Sequence, residues 1–328
     1  MEAAYYEPYD TDSVRCLLCP NYCVIANGKK GACRVRTNRD GKLEASAYGQ
    51  VVSLAIDPVE KKPLYHFYPS NQILSTGANG CNFRCGFCQN SEISQNSSPT
   101  RYVSPEDLAQ LASQNGSIGV AYTYTEPFIW FEYIRDAGRL VHDRGLVNVL
   151  VTNGYVNEEP LRELLPVVDA MNIDVKSMRP EFYNKVCGGK LEDVLRTVEI
   201  ASQQCHVEIT NLVITNYNDT EEDFLKLADW IYSIDPLIPL HISRYSPRYK
   251  FNEPPTPVET LVKAYETAKL KLKYVYLGNI VLTGTGDTLC PSCGNLLVKR
   301  TNYSVSAVGI RGGVCSSCGS VSDFVGMD

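Results

Sequence analysis

The sequence predicts an α/β fold, a parallel sheet wrapped in helices with a small cysteine-rich segment at each end. Three observations carry this expectation. Apolar, β-branched runs recur at 73–76, 118–125, 147–152, 170–175, 206–214 and 237–245. Segments with a period near 3.6 separate most of them. Eleven of the thirteen cysteines fall into three tight sets, 16/19/23/33, 81/85/88 and 290/293/315/318.

The first element is "CLLCPNYCVIANGKKGAC", in which Cys16, Cys19, Cys23 and Cys33 stand at Cys-x2-Cys-x3-Cys-x9-Cys. That spacing fits neither a regular ribbon nor a ferredoxin run. Four thiolates could hold zinc, the favoured expectation, or an auxiliary iron–sulfur cluster. The strand–helix series follows. In 128–142, Trp130, Tyr133, Ile134, Ala137 and Val141 share one helical face. In 191–201, Leu191, Val194, Leu195, Val198 and Ala201 do the same. "SPEDL" (104–108) and "TPVETL" (256–261) each place a hydroxyl before Pro and an acid two residues after it, the mark of a capped helix start. Buried parallel strands with helices outside leave an open doubly wound sheet or a whole or partial barrel. In all of these, ligands gather where the strands end.

Those ends are polar: "AYTYTEP" (121–127), "VLVTNG" (149–154), "MNIDVKS" (171–177) and "LHISRYSPRYK" (240–250). Strand alternation predicts that Asp174 and Lys176 share a face, and that Tyr122, Tyr124 and Glu126 share another. The first strand ends in "ILSTGANGCNFRCGFCQN", which carries Cys81, Cys85 and Cys88. Three thiolates wrapped around a [4Fe–4S] cluster leave one iron without a protein ligand, and there an outside molecule can bind. Gly80 and Gly86 would let the backbone approach closely.

Cys-x3-Cys-x2-Cys with Phe87 before the last cysteine resembles the radical S-adenosylmethionine (SAM) superfamily. The order "CNFRCGFCQN", "AYTYTEP", "TNGY", "DVK", "SRYSPRYK" is similar to that of the glycyl-radical (pyruvate formate-lyase) activating enzymes. The N-terminal cysteines and "PVEKKPLYHFYPSNQILSTG" look closer to the AmmeMemoRadiSam-system enzymes. The resemblance implies a partial (β/α)6 barrel and a [4Fe–4S] cluster on Cys81, Cys85 and Cys88. SAM would be cleaved reductively to a 5′-deoxyadenosyl radical that takes hydrogen from a substrate. It implies SAM contacts from Glu126, Asn153, Gly154, Asp174, Lys176 and Tyr245. A low-potential donor such as flavodoxin or ferredoxin would supply electrons. A protein substrate and the two AmmeMemo-type partner families are the implied partners. Two positions depart from the activating enzymes: Val151 stands for their Asp and Ser246 for their His, with His66 and His241 as candidate substitutes.

At the other end, "CPSCGNLL" and "CSSCGS" place Cys290, Cys293, Cys315 and Cys318 in two knuckles, expected to form a closed, structural zinc ribbon. The expected organisation is 1–50 metal-binding segment, 51–285 barrel and 286–328 ribbon. Cys187 and Cys205 are expected to be buried packing residues. A net charge of −6 does not favour non-specific nucleic-acid binding. The absence of a long apolar run or a signal-peptide pattern leads us to expect a cytoplasmic protein, and the radical SAM resemblance implies an oxygen-sensitive enzyme. The competing expectations are a glycyl-radical activating enzyme, a zinc-ribbon module that binds RNA or protein, and an electron carrier.

Overall fold

The six expected strands lie side by side, each the neighbour of the next in sequence. The computed structural model describes residues 1–114 and 116–327. Its main sheet has eight strands: β1 (Ser53–Pro58), β2 (Gln72–Gly77), β3 (Gly119–Tyr122), β4 (Val147–Thr152), β5 (Ala170–Asp174), β6 (His206–Val213), β7 (Leu240–Arg244) and β8 (Val275–Gly278). They pair in that order. Strands β2 to β8 are parallel, and β1 runs antiparallel to β2 with Ser53 opposite Gly77. The edge strands β1 and β8 are additions to the sequence reading. The first mixes polar and apolar residues, and the second has only four, so neither makes a clear run.

Helices α1 (Pro105–Gln114), α2 (Phe131–His142), α3 (Glu158–Leu164), α4 (Leu191–Ala201), α5 (Glu221–Ile234) and α6 (Val258–Lys269) follow β2 to β7 in turn. The Ser104 hydroxyl accepts from the Asp107 amide, 3.1 Å, and so caps α1 as expected. Thr256 does not cap α6. Its hydroxyl donates to the Val213 carbonyl and accepts from the Tyr245 amide, so it ties two strand ends together and the helix begins at Val258. Leu74, Val120, Leu150 and Met171 pack with the buried faces of the helices, including Leu108, Ile134, Ala137 and Val198. The alternate residues Ile73, Ala121, Val149 and Ala170 meet Val59, Leu64 and Phe67 in a second apolar cluster inside the curl.

The inner face of β6 and β7 is polar instead. Glu208, fully buried, accepts from the amides of Tyr65 and His66 and from Nε2 of His206 and His241, at 2.6–3.0 Å. His66 and His241 therefore serve this buried cluster. The C-terminal segment packs beside it, between the loop after β1 and β8. Arg300 donates to the Tyr65 carbonyl, 2.7 Å, and to the Thr288 hydroxyl, 2.6 Å. Thr288 meets the Tyr276 hydroxyl, which meets His66 Nε2. Tyr68 and His66 exchange backbone hydrogen bonds with Val325. The open side of the barrel is thus filled by residues 286–327. Within this segment Thr288–Leu289, Leu296–Thr301 and Ser304–Ala307 form an antiparallel sheet.

The N-terminal segment sits against α2. Arg36 and Glu132 are both buried, Arg36 Nη2 meets the two carboxylate oxygens at 2.7 and 2.9 Å, and Glu132 also accepts from the Ala4 amide. Among the described residues, no helix is long and apolar enough to cross a membrane.

Candidate functional site

At the C-terminal ends of the strands a cavity of ≈ 540 Å³ opens. Cys81, Cys85 and Cys88 reach it from the loop after β2, Glu126 and Asn153 from beyond β3 and β4, and Asp174 and Lys176 from β5. A groove of ≈ 730 Å³ lined by Glu199, His206 and Leu237 lies near the opposite strand ends and holds no comparable set.

The cysteine loop is held from several sides. Gly80 adopts φ +103°, and a Cβ there would come within 2.4 Å of the Cys33 carbonyl oxygen. Gly86 presses on the Phe251 ring in the same way. Both glycines therefore bring the loop against protein neighbours. The Phe83 backbone amide donates to Cys81 Sγ at 3.4 Å, and the Asn153 side-chain Nδ2 at 3.6 Å. Ser94 Oγ lies 3.1 Å from Cys88 Sγ. Cys187, fully buried as expected, stands beside Cys85, and their thiol contact together with burial raises Cys85 well above an ordinary thiol. Burial raises Cys81 in the same direction. Such thiols become ligands only when a metal displaces their protons.

Glu126 is buried, and its carboxylate accepts from the Phe128 amide (2.9 Å), the Thr152 hydroxyl (2.7 Å) and the Asn153 amide (2.8 Å). Burial outweighs these donors and pushes its carboxyl up to about 7. Three donors leave one acceptor position, and Glu126 lines the cavity. Lys176, two residues past the end of β5, pairs with Asp174 at 2.9 Å on one wall, the side that strand alternation predicted. Burial pulls its ammonium down, but the Asp174 carboxylate outweighs that and raises it.

Tyr122 is a correction. It is fully buried and donates to Asn148 Oδ1, while Tyr124 and Glu126 line the cavity. The strand stops at Tyr122, and Tyr124 takes φ +71°, which breaks the alternation. Gly154 and Tyr245 also lie off the cavity. Gly154 turns at φ +68° with Ile173 and Val194 against its Cα, and Tyr245 is buried with its hydroxyl on the Phe251 carbonyl at 3.2 Å. Val151 lines the cavity, and Ser246 is exposed away from it.

The sequence reading missed the opposite wall. Asp57, on β1, accepts from Lys61 and Lys62 at 2.9 Å each and from the Tyr124 hydroxyl at 3.1 Å. Burial works against its ionisation, but the two ammonium groups hold its carboxyl well below the usual range. The signal was "DPVEKKP", an acid four and five residues before two lysines, obscured because β1 itself was not recognised.

The outer cysteine sets differ. Cys290, Cys293, Cys315 and Cys318 bring their sulfurs within 4.8 Å of one another, a group able to hold a metal ion. Gly294 and Gly319, at φ +75° and +74°, make the two knuckle turns. Cys16, Cys19, Cys23 and Cys33 surround a small cavity near the Cys81 loop. None of the thirteen cysteines is in a disulfide.

Comparison with known proteins fits this geometry. The profile described as "Radical SAM superfamily" matches residues 76–231. An uncharacterized protein of Methanocaldococcus jannaschii, MJ0808, is 43% identical over 333 residues, covering 99% of each chain. The chain belongs to the radical SAM superfamily. It is also similar to the pyruvate formate-lyase 1-activating enzyme of Escherichia coli K12, 26% identical over 161 residues, 46% of this chain and 65% of that enzyme. The match thus spans just under two thirds of the activating enzyme. A radical SAM methyltransferase from Sphaerobacter thermophilus shares the fold, with a TM-score of 0.50 at 15% identity over 70% of this chain and 71% of that one. Membership of the radical SAM superfamily implies a [4Fe–4S] cluster, SAM and a reductant.

Proposed function

We propose that this radical SAM enzyme holds its cluster on Cys81, Cys85 and Cys88 and binds SAM in the cavity at the barrel mouth. The observation that carries this reading is the convergence of three thiols with Glu126, Asn153, Asp174 and Lys176 on one cavity. The donor set fits the group: three thiols on one loop, spaced too widely for a single ion, with amide donors on Cys81. When bound, the cluster and SAM supply reductive cleavage to a 5′-deoxyadenosyl radical.

The protein's own residues orient and shield. Glu126 would present its remaining lone pair to the SAM amino group, and the backbone amides of Phe128 and Asn153 hold it in place. Lys176 pairs with the SAM carboxylate and leaves Asp174 to fix its ammonium. Asn153 bridges this wall to the loop through Asn82 at 2.9 Å. Asp57, Lys61 and Lys62, and Tyr303 from the C-terminal segment, line the same cavity. Cys290, Cys293, Cys315 and Cys318 hold zinc that fixes the segment. Flavodoxin or ferredoxin supplies the electron. The unit boundaries near 50 and 286 follow the two outer metal sites.

Anaerobic reconstitution with SAM and a low-potential reductant tests this reading. The protein is expected to release 5′-deoxyadenosine, and Glu126→Ala to lower its formation about ten- to a hundredfold. Unchanged formation in that variant would remove Glu126 from the site. Similarity to the pyruvate formate-lyase activating enzyme favours a second reading, hydrogen abstraction from a protein glycine. A glycyl EPR doublet on an added protein partner would establish it.

A further inference from the structure

The two outer cysteine sets have the same number of thiols and different sizes. In the C-terminal set, Cys290 and Cys318 are 3.7 Å apart at sulfur, and so are Cys293 and Cys315. Zinc–sulfur bonds of about 2.3 Å give a tetrahedron with edges of about 3.8 Å. That set is already at the size of one zinc ion. Among the described residues it is the only group of three or more Cys, His, Asp or Glu ligand atoms that converge within 4.8 Å. No three sulfurs of Cys16, Cys19, Cys23 and Cys33 therefore come that close together.

These four cysteines nevertheless line one cavity. They surround a space of ≈ 10 Å³, walled elsewhere by Leu18, Ile25 and Ile129. A volume of about 10 Å³ admits one water-sized sphere, which four thiolates closed on zinc at about 2.3 Å would exclude. Thiolates on a cubane with Fe–S bonds of about 2.3 Å and an iron–iron edge of about 2.7 Å stand about 6.4 Å apart. The cage is thus too wide for a zinc ion and suits a cluster.

The walls also suit an anionic, oxygen-sensitive group. Cys16, Cys19 and Cys33 are less than a tenth exposed. Arg36, 1% exposed, lines the cavity, and its Nε has no protein partner although its other nitrogens bind Glu132 and the Ala4 carbonyl. A buried N–H without an acceptor is costly, and the sulfur of a cluster would satisfy it. The Ala32 amide already donates to Cys23 Sγ at 3.4 Å.

We infer that Cys16, Cys19, Cys23 and Cys33 hold a second [4Fe–4S] cluster, with every iron ligated by protein. This replaces the zinc that the spacing led us to expect. With no open iron, the cluster cannot chelate SAM, and its chemistry is a one-electron couple. It lies beside the proposed SAM cluster: the Asn21 side chain donates to the Asn82 carbonyl at 2.9 Å, and Cys33 abuts Gly80. The inference rests on the geometry of its own cage, and only its placement beside a SAM cluster rests on the function proposed above.

The test reconstitutes the full chain anaerobically and compares it with the Cys81→Ala/Cys85→Ala/Cys88→Ala and Cys19→Ala/Cys33→Ala variants. Iron, sulfide and zinc are counted, and reduced EPR spectra are recorded with and without SAM. The native chain is expected to hold about eight irons and about one zinc, and the triple variant about four irons whose signal ignores SAM. The Cys19/Cys33 variant is expected to keep about four irons whose signal shifts with SAM. If it does not fold, the triple variant, whose N-terminal cage is intact, decides alone. A folded triple variant with no iron, with about two irons, or with a second zinc would overturn the second cluster. A native spectrum that SAM leaves unmoved would instead overturn the SAM site, and four irons in the triple variant would still support the N-terminal cluster.

Discussion

Two buried carboxylates inside the same barrel behave in opposite ways. Glu208, on the inner face of β6, has four donors on its two oxygens, two of them imidazoles, and these outweigh burial to hold it well below an ordinary glutamate. Glu126, where β3 gives way to the next turn, has three donors, none of them cationic, and burial pushes it up to about 7. The first is finished by the protein. The second faces a cavity with an acceptor position still open, which the amino group of SAM would fill. Polar residues inside a barrel thus divide by whether the fold itself completes them.

The largest expected effect falls on the completed carboxylate. Glu208→Gln replaces an acceptor of four hydrogen bonds with an amide that must itself donate, and is expected to cost about 3–5 kcal/mol of stability. A denaturation midpoint unchanged by this substitution would break the comparison. SAM affinity of the folded fraction should be near native, since Glu208 does not line the cavity.

Glu126→Gln reverses that pattern. SAM affinity should fall by about 1.5–3 kcal/mol, with a smaller loss of stability. Because the carboxyl titrates at about 7, an N–H donor and the sulfonium charge of SAM should favour its ionised form and release about half a proton at neutral pH. Binding enthalpies measured in buffers of different ionisation enthalpy read that proton. Glu126→Gln should lower the release by about that half proton, and a native protein that releases no more than the variant would place SAM elsewhere.

The smallest effect concerns acid. Burial lowers His66 to about 3 from the ordinary 6.5, so the unfolded chain binds the extra proton between these values. Stability is therefore complete above pH 6.5 and falls as pH drops through the window, by at most about 1.4 kcal/mol per unit. Glu208, also depressed, contributes in the same sense below its ordinary 4.5. Glu126 acts oppositely, since its raised carboxyl makes stability fall as pH rises from 4.5 to about 7. The informative measurement is thus the difference between native protein and His66→Phe. The variant, which retains an aromatic ring against Phe324, should lose melting temperature more slowly between pH 6.5 and 5. Equal slopes would mean that His66 carries its proton in the fold.

What the sequence determined by itself is the periodic part. The six central runs became strands, 191–201 became a helix with the expected bounds, and Asp174 and Lys176 share a face because strand alternation is a local property of the backbone. The cysteine spacing and the strand-end residues pointed to one cavity for the same reason. Where regularity stops, local reading failed. One left-handed residue, Tyr124, turned Tyr122 away from its neighbours, and Thr256 found partners on two strands in place of the α6 amide. Only the tertiary structure decided that β1 brings Asp57 and its lysines to the cavity, that the C-terminal segment fills the barrel's open side, and that one four-cysteine set is tight while the other is wide. Spacing along the chain limits which sulfurs can meet, but the distance at which they stop is set by what packs around them.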